Sequence, residues 1–479
     1  MTVFITIGLI LLELSLVVGL VTHILLRKTG STEARLTWLL LVLLLPYAGA
    51  VAYLLLSAPR SYRHTKRHSN LRGSMSGCLR TRAIDLPNLE PDIPRQFQPV
   101  FTLAETISDT DVMAGHSLEL VGSTEAFFDQ LIEDIHAATS TVHLLTYIYL
   151  DDESGQRVGS AMIEAVGRGV ACRLVVDGLG SSEFLHSKLH AELVQANVQV
   201  VESLPTRLWK ALWSRMDVRN HRKIVVIDNQ IGWIGSQNIA SKSFCRKPRF
   251  APWIDCMVRI LGPAVHDLQE LFIEDWCLGT DEQLAKLLDH PPTVLPDGAT
   301  IQIIGSGPNF RNEVLPMIFQ ASIGAATEEL IITTPYFVPD VATSAAIRAA
   351  ALRGVRTKIV VPARNDSRLV SLASRGQYER LLSSGVEIHE FTGGLLHAKT
   401  MTVDRELFLV GSANLDRRSL ELNFEVSMIG WDSEFASRLR FLQVEYIEQS
   451  TEVNPAAWMK QSAPRRLLNN AAGLLSPLL

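Results

Sequence analysis

Two stretches of the sequence carry the same reactive side chains at the same spacing. Residues 221–238 are HRKIVVIDNQIGWIGSQN, and residues 397–414 are HAKTMTVDRELFLVGSAN. Both contain His-x-Lys, four further residues, Asp, six further residues and then Gly-Ser-x-Asn. Each residue type makes up roughly one in twenty of ordinary protein sequence, so a chance repeat of six fixed positions is very improbable. We call these stretches the first and the second motif.

The two motifs together contain the groups that phosphodiester chemistry needs. One imidazole can attack phosphorus and another can protonate the leaving oxygen, while ammonium, hydroxyl and amide groups hold the negative charge that develops. This chemistry requires neither a metal ion nor a nucleotide. The candidate residues are His221, Lys223, Asp228, Ser236 and Asn238 in the first motif, and His397, Lys399, Asp404, Ser412 and Asn414 in the second.

A strand, a turn and a returning strand would position these groups. His221 and Lys223 alternate with a period of two, so an extended backbone projects both from one face. Residues 224–227 are apolar and predict a buried strand, residues 228–229 have turn chemistry, and residues 231–234 predict the returning strand. Asp228 and Asp404 therefore have a second interpretation, which we favour, as turn residues that bind nearby backbone.

The motif pair resembles the HKD signature of the phospholipase D superfamily. The resemblance to bacterial cardiolipin synthases with two membrane spans extends over nearly the whole chain, including TPYFVPD at residues 334–340 and NLDRRSLELNFE at residues 414–425. It implies that His221 is the nucleophile and His397 the general acid and then base. It also implies that two downstream carboxylates, Asp255 and Glu425, orient the histidines. The phosphoryl oxygens would contact Lys223, Lys399, Ser236, Asn238, Ser412 and Asn414.

Further repeats predict that the chain contains two copies of one α/β unit. Residues 137–139 match residues 325–327, and residues 168–170 match residues 353–355. We therefore predict an α/β fold in which an N-terminal transmembrane helical hairpin precedes two tandem phospholipase D-like domains related by a pseudo-twofold axis. The expected parts are the hairpin (1–59), a basic juxtamembrane segment with a Pro-containing linker (60–115), the first domain (116–295) and the second domain with an amphipathic tail (296–479).

Residues 3–26 and 36–56 are almost continuously apolar, and each is long enough to cross about 30 Å of hydrocarbon as a helix. A cleaved signal peptide is the alternative for the first segment, but no basic residues precede it and a second span follows. Three basic residues lie between the spans, whereas five follow the second span within residues 57–72. This bias favours a catalytic portion on the cytoplasmic side, and the resemblance implies that the membrane is the inner membrane of a bacterium.

Composition narrows the possible partners. The net charge of -5 argues against a general nucleic-acid binder. The five cysteines are scattered and indicate reduced packing residues. Residues 207–223 interleave six basic residues with two tryptophans, which suits either a lipid headgroup layer or an ordinary solvated helix. The tail at residues 456–479 could dock on the membrane or on the catalytic domains.

The resemblance, together with the two motifs and the apolar segments, implies a membrane-anchored phosphatidyltransferase. Two phosphatidylglycerol molecules would give cardiolipin and glycerol through a phosphatidyl-histidine intermediate, without a cofactor. The expected partners are phosphatidylglycerol, other anionic phospholipids and the membrane, with no nucleic acid. The alternatives are a phospholipase D that hydrolyses phospholipids to phosphatidic acid, an HKD nuclease, and a non-catalytic membrane scaffold.

Overall fold

The computed structural model describes residues 2–26, 32–56, 91–205, 218–244, 246–282, 284–289, 293–295, 298–307 and 313–474. Within these ranges the chain forms three N-terminal helices and a large α/β body. The predicted α/β class is confirmed.

The N-terminal helices are α1 (Thr2–Leu26), α2 (Thr32–Leu44) and α3 (Pro46–Leu56). The second apolar segment is thus interrupted at Leu45, because Pro46 has no N–H to donate. Backbone hydrogen bonds nevertheless continue through the break: Leu45 N donates to Leu41 O at 3.0 Å, and Gly49 N donates to Leu45 O at 2.6 Å. The proline therefore bends the segment rather than ending it.

The three helices pack against one another through a small apolar core that contains Leu20, Ile24, Trp38, Val42 and Tyr53. Among the described helices, one stretch, Thr6–Leu26, is by itself long and apolar enough to cross a membrane. The basic residues at 27–28 and 60–72, from which we predicted the orientation, lie outside the described residues, whereas Arg35 lies in α2.

Fifteen of the strands in the described ranges form a single sheet. The first half of the body contributes β1 (Met113–Val121), β2 (Thr141–Thr146), β3 (Ala171–Asp177), β4 (Gln199–Ser203), β5 (Ile224–Ile227), β6 (Ile231–Gly235), β7 (Trp253–Ile254) and β8 (Met257–Leu261). The second half contributes β9 (Ala299–Ser306), β10 (Glu329–Thr333), β11 (Phe337–Val338), β12 (Arg356–Pro362), β13 (Glu387–Phe391), β14 (Leu395–Leu396), β15 (Thr400–Val403), β16 (Leu407–Gly411), β17 (Leu415–Asp416), β18 (Glu425–Trp431) and β19 (Ser450–Glu452).

The strand order shows the duplication directly. It runs β19-β13-β12-β10-β15-β16-β18-β9-β1-β8-β6-β5-β2-β3-β4, so corresponding strands lie at equal distances from the β9–β1 junction. At that junction the two strands pair antiparallel, with Met113 opposite Ile301 and His116 opposite Ala299. This arrangement has the predicted pseudo-twofold character.

Helices cover the sheet. They are α4 (Gln98–Ile107), α5 (Thr124–Ala137), α6 (Glu153–Gly167), α7 (Ser182–Leu185), α8 (Lys188–Gln195), α9 (Val265–Gly279), α10 (Val314–Ala325), α11 (Val341–Leu352), α12 (Arg368–Leu382), α13 (Arg417–Glu421), α14 (Ser433–Glu448), α15 (Pro455–Met459) and α16 (Ala463–Gly473). One apolar core joins residues of both halves, including Leu268 of α9 and Leu439 of α14. The halves therefore share buried surface.

Helix α4 lies within residues 60–115, where the sequence predicted a Pro-containing linker. Its residues Val100, Phe101 and Ala104 are buried in the core of the second half, beside Leu315 and Ile318 of α10. Prolines along residues 87–99 suggested irregular structure, but the apolar spacing after Pro99 is helical. The chain thus packs residues 98–107 against the half that lies farther along the sequence.

The strand–turn–strand prediction for the motifs is confirmed. Strands β5 and β6 pair antiparallel, with Ile224 opposite Ile234, and β15 and β16 pair in the same way. Asp228 and Asp404 both adopt φ of 51°. Such left-handed backbone suits Asp or Asn in a tight hairpin turn.

Two local patterns in the sequence have different outcomes. Ser123 and Thr124 are typical N-cap residues and predict a helix that ends near Ala138; this is confirmed as α5, where the Ser123 side chain accepts a hydrogen bond from Ala126 N. The apolar run TVHLLTYIYL at residues 141–150 predicts a buried strand, but the strand ends already at Thr146. Cys172, Cys256 and Cys277 are buried and reduced, while Cys78, Cys245 and residues 206–217 lie outside the described residues.

Candidate active site

Both motifs begin at the same edge of the sheet. Lys223 directly precedes β5, whose residue Ile224 lies opposite Leu145 near the carboxyl end of β2. Lys399 directly precedes β15, whose residue Thr400 lies opposite Thr333, the last residue of β10. Since β2 and β10 run parallel to their neighbours β3 and β12, this edge is where several strands end. Such an edge is the usual place for a ligand in α/β proteins.

His221 is held by the second half of the chain. Its Nδ1 lies 3.0 Å from Glu425 Oε2 and 3.1 Å from the backbone oxygen of Ser412. The His221 backbone N–H also donates to Phe424 O at 2.9 Å. These contacts fix the ring through Nδ1 and leave Nε2 as the nitrogen for chemistry.

His397 is held by the first half in the same way. Its Nδ1 lies 2.6 Å from Asp255 Oδ1, and its backbone N–H donates to Ile254 O at 2.7 Å. The pairing is therefore crosswise, because each carboxylate comes from the half opposite to its histidine. Both histidines must lie at the interface between the halves.

The motif serines contact these carboxylates. Ser236 Oγ donates to Asp255 Oδ1 at 2.6 Å, and Ser412 Oγ donates to Glu425 Oε2 at 2.5 Å. Each hydroxyl also accepts a backbone N–H, from Cys256 at 3.1 Å or Val426 at 3.0 Å. In this structure the serines position the carboxylates, and their binding of phosphate stays a prediction.

Glycine is required just before each serine. A Cβ on Gly235 would lie 2.4 Å from the backbone oxygen of Cys256, and one on Gly411 would lie 2.4 Å from that of Val426. No side chain fits at such distances. The motif backbone can therefore approach the carboxylate-bearing strand closely enough for the serine contacts.

The motif asparagines are also fixed. Asn238 Oδ1 accepts from Ile148 N at 3.1 Å, and Asn414 Nδ2 donates to Ser419 Oγ at 3.1 Å. Both side chains are buried at the same edge of the sheet. The first holds the loop after β2, and the second holds the start of α13.

The two motif lysines place positive charge beside the histidines. Lys223 Nζ donates to His221 O at 2.7 Å, and Lys399 Nζ donates to His397 O at 2.5 Å. Both side chains are buried, and burial lowers the pKa of Lys223 to about 7 and that of Lys399 to about 8. A phosphate anion between them would favour their protonated forms.

Burial also keeps the histidines neutral. It lowers the pKa of His221 to about 4, and it lowers the pKa of His397 as well. Burial alone would raise the pKa of Asp255, but His397 and the nearby Lys399 outweigh it and bring that pKa to about 2. The pKa of Glu425 is likewise lowered, chiefly by His221, against the effect of burial. Neutral imidazoles are thus held by charged carboxylates.

The structure does not bring Asp228 or Asp404 to the histidines. Asp228 follows β5, whereas Lys223 precedes it, so about five residues at roughly 3.3 Å each separate the two along the strand. Its carboxylate accepts from the backbone N–H groups of residues 139–141 at 2.7 to 2.8 Å. Asp404 accepts in the same manner from residues 327–329. These contacts support the interpretation of Asp228 and Asp404 as turn residues rather than catalytic residues.

Two aromatic rings at the site were absent from our sequence predictions. The rings of Tyr147 and His221 are 4.9 Å apart between centroids, and those of Trp253 and His397 are 4.6 Å apart. Trp253 lies two residues before Asp255, so the period of an extended strand could have placed both on one side. No sequence pattern distinguishes Tyr147 from the other aromatic residues that follow β2.

The fold and the crosswise pairs of histidine and carboxylate define the class. The chain is a member of the phospholipase D superfamily. The family described as "Cardiolipin synthase, PLD-like domain" matches residues 131–276 and 319–441, and the N-terminal family described as "Phospholipase_D-nuclease N-terminal" matches residues 15–57. The chain belongs to the cardiolipin synthase family.

Relatives match over almost the entire chain. Cardiolipin synthase A of Serratia proteamaculans is 36% identical over 472 residues, covering 97% of this chain and 96% of the relative. Cardiolipin synthase A of Edwardsiella ictaluri is 35% identical over 475 residues with the same coverage. The similarity therefore includes the N-terminal helices and both motifs.

A solved structure supports the fold independently of close sequence similarity. The phosphatidylserine synthase of Haemophilus influenzae superposes with a TM-score of 0.61 at 15% identity, covering 80% of this chain and all of that protein. At this identity the likeness shows a shared fold. The enzyme class, a phosphatidyltransferase, follows from the family.

Proposed function

We propose that the protein makes cardiolipin by moving a phosphatidyl group between two phosphatidylglycerol molecules, with release of glycerol. The observation that carries this proposal is the pair of buried histidines, each held through Nδ1 by a carboxylate of the opposite half and accompanied by a buried lysine. The names of the relatives support cardiolipin as the product.

In the first half-reaction His221 Nε2 attacks the phosphorus of one phosphatidylglycerol. The new N–P bond forms as the bond from phosphorus to the headgroup glycerol oxygen breaks, and His397 gives that oxygen a proton. Entry of the anionic phosphate favours the protonated form of His397 before this step. Lys223 and Lys399 hold the charge on the phosphoryl oxygens.

In the second half-reaction the acceptor is the terminal hydroxyl of another phosphatidylglycerol. His397, now neutral, takes the hydroxyl proton while the oxygen attacks phosphorus and the bond to His221 breaks. The products are cardiolipin and free His221. Because one phosphodiester is exchanged for another, the reaction consumes no nucleotide.

The placement in the membrane and the identity of the substrates also belong to this proposal. Helices α1, α2 and α3 would form a membrane hairpin in the bacterial inner membrane, with the α/β body on the cytoplasmic side. The packed apolar core of the three helices supports a hairpin, and the distribution of basic residues in the sequence supports the orientation. Phosphatidylglycerol and other anionic lipids would be the substrates.

A product analysis tests the proposal. Purified protein incubated with phosphatidylglycerol should give cardiolipin and glycerol in equal amounts, and His221→Ala should give neither. Phosphatidic acid without cardiolipin would instead identify a hydrolase. His397→Ala should slow both half-reactions, and a quenched reaction of the unsubstituted protein should carry a phosphatidyl group on His221, which peptide mass spectrometry detects.

A further inference from the structure

Helix α16 turns leucine side chains toward solvent and smaller side chains toward the protein. Only Asn469 and Ala472 of this helix are buried. Leu467, Ala471 and Leu474 recur at the i, i+4 and i+7 spacing of one helix face and are exposed, with 71% of Leu467 and 77% of Leu474 accessible. A helix that merely covers a soluble domain turns its leucines inward.

The contact of α16 with the body fixes which side faces outward. The helix runs antiparallel to α12: Arg466 lies 3.9 Å from Glu379, and Ala472 shares an apolar cluster with Ala373. A Cβ on Gly376 would lie 3.0 Å from the Asn469 backbone oxygen, so the two backbones approach closely. This close contact holds the leucine face away from the protein.

The antiparallel packing brings the end of α16 to the edge of the sheet that carries the candidate active site. Helix α12 begins a few residues after the carboxyl end of β12, at the edge where β10 ends and the second motif begins. Two other exposed apolar side chains, Val341 and Leu369, start α11 and α12 at this edge. Apolar groups therefore lie around the side from which a lipid phosphate would enter.

The charge of the tail complements an anionic surface. No Asp or Glu follows Glu452 in the sequence, whereas Lys460, Arg465 and Arg466 do. Lys460 and Arg465 are exposed, whereas Arg466 lies beside Glu379 of α12. A helix with exposed leucines and arginines lies well at the boundary between anionic headgroups and acyl chains.

We propose that the outward face of α16, formed by Leu467, Ala471 and Leu474, docks on the anionic bilayer surface and holds the active-site edge against it, with the exposed cations Lys460 and Arg465 near its N-terminal end. This inference rests on the proposed function only for the identity of the lipid substrate. The N-terminal helices tether the chain, and α16 sets how the body meets the bilayer.

The test compares two matched variants of the full-length protein. Leu467→Gln removes a leucine from the docking face, while Leu352→Gln removes one of similar exposure, 68%, at the end of α11 that points to the opposite edge of the sheet. In vesicles containing phosphatidylglycerol we expect Leu467→Gln to lower kcat/KM about fivefold, because an interfacial leucine no longer binds the bilayer. Leu352→Gln should have no effect.

A short-chain phosphatidylglycerol below its micellar concentration gives the second measurement. Leu467→Gln should turn it over like the unsubstituted protein, because no surface is involved. Lys460→Gln with Arg465→Gln should lower the vesicle rate and weaken its dependence on salt.

Several outcomes would overturn the docking proposal. An equal loss on the short-chain lipid would make α16 part of the catalytic domain's own structure, and a smaller particle mass for Leu467→Gln would make its face an interface between copies. Unchanged vesicle kinetics would remove α16 from membrane binding. Each of these outcomes leaves cardiolipin formation intact, whereas absence of cardiolipin from the unsubstituted protein refutes the proposed function instead.

Discussion

At the scale of single residues, the site contains two equivalent groups of a histidine, a carboxylate and a serine. In each group the carboxylate and the serine come from the half of the chain opposite to the histidine. His221 relies on Glu425 and Ser412, and His397 relies on Asp255 and Ser236. Each serine fixes a carboxylate, and each carboxylate fixes a tautomer. Removing the negative charge of one of these carboxylates should therefore affect catalysis without disturbing the fold.

Glu425→Gln tests this dependence. The amide cannot stabilise the imidazolium-like character that His221 develops, and we expect kcat to fall on the order of 10²-fold or more. Steady-state cardiolipin synthesis measures the loss, with circular dichroism to confirm folding. The matched control is Glu434→Gln, which replaces an exposed carboxylate paired with Arg438 and should leave kcat unchanged. Full activity in Glu425→Gln would contradict the role of Glu425.

The lysines predict a pH dependence. A lysine is charged below its pKa, and the values of about 7 for Lys223 and about 8 for Lys399 belong to the free protein. As pH rises past about 8 the free site loses positive charge, so kcat/KM should fall. A bound phosphate raises both pKa values, and kcat should decline only at higher pH. Equal pH profiles for kcat and kcat/KM would contradict this account.

At the scale of elements, each motif hairpin has the active-site histidine and lysine at one end and a turn-stabilising aspartate at the other. Lys223 precedes β5 at the site, and Asp228 follows β5 at the far edge. Asp228 accepts hydrogen bonds from Thr139, Ser140 and Thr141, at the start of the neighbouring strand β2. The spacing from lysine to aspartate, which is the same in both motifs, therefore reflects the length of the strand rather than a shared role in the reaction.

Asp228→Ala should destabilise the fold and leave the chemistry of the folded protein unchanged. Five donors, three backbone and two hydroxyl, would lose their acceptor. We expect a loss of about 2 kcal/mol or more in the free energy of unfolding. Thermal unfolding in detergent gives the stability, and kcat at low temperature gives the chemistry. A lower kcat with an unchanged Tm would restore Asp228 to the catalytic set.

At the scale of the whole molecule, the two halves form one sheet with a shared core. Arg222, which lies between the histidine and the lysine of the first motif, is buried and connects the two halves. It donates to Asp275 at 2.9 Å in its own half, and to Ser306 O at 3.1 Å and Glu425 O at 3.2 Å in the other. It therefore fixes the strand that presents Glu425 to His221.

Arg222→Met should leave the buried Asp275 carboxylate without its cation. We expect a loss of about 3 kcal/mol in stability, together with lower turnover because Glu425 shifts. The double variant Arg222→Met with Asp275→Leu removes both charges and should regain part of the stability. Chemical denaturation of the unsubstituted protein, both single variants and the double variant measures this, and a double variant as unstable as the sum of its single changes would argue against the pair.

The sequence alone determined the reactive groups, the hairpins that carry them and the α/β class. These features depend on local spacing: period-two alternation, apolar runs of strand length and turn residues between them are all read within a few positions. The duplication was also visible, since equal spacings in both copies give the same local patterns. His221, Lys223, His397 and Lys399 were found in this way.

Only the tertiary structure decided which groups meet. The crosswise pairing of His221 with Glu425 joins residues about two hundred positions apart, and no local pattern reports a contact of that range. The same holds for the serines bound to carboxylates, for helix α4 buried in the second half, and for the exposed leucines of α16. Local patterns fix what each segment presents, but packing between distant segments fixes what each side chain contacts.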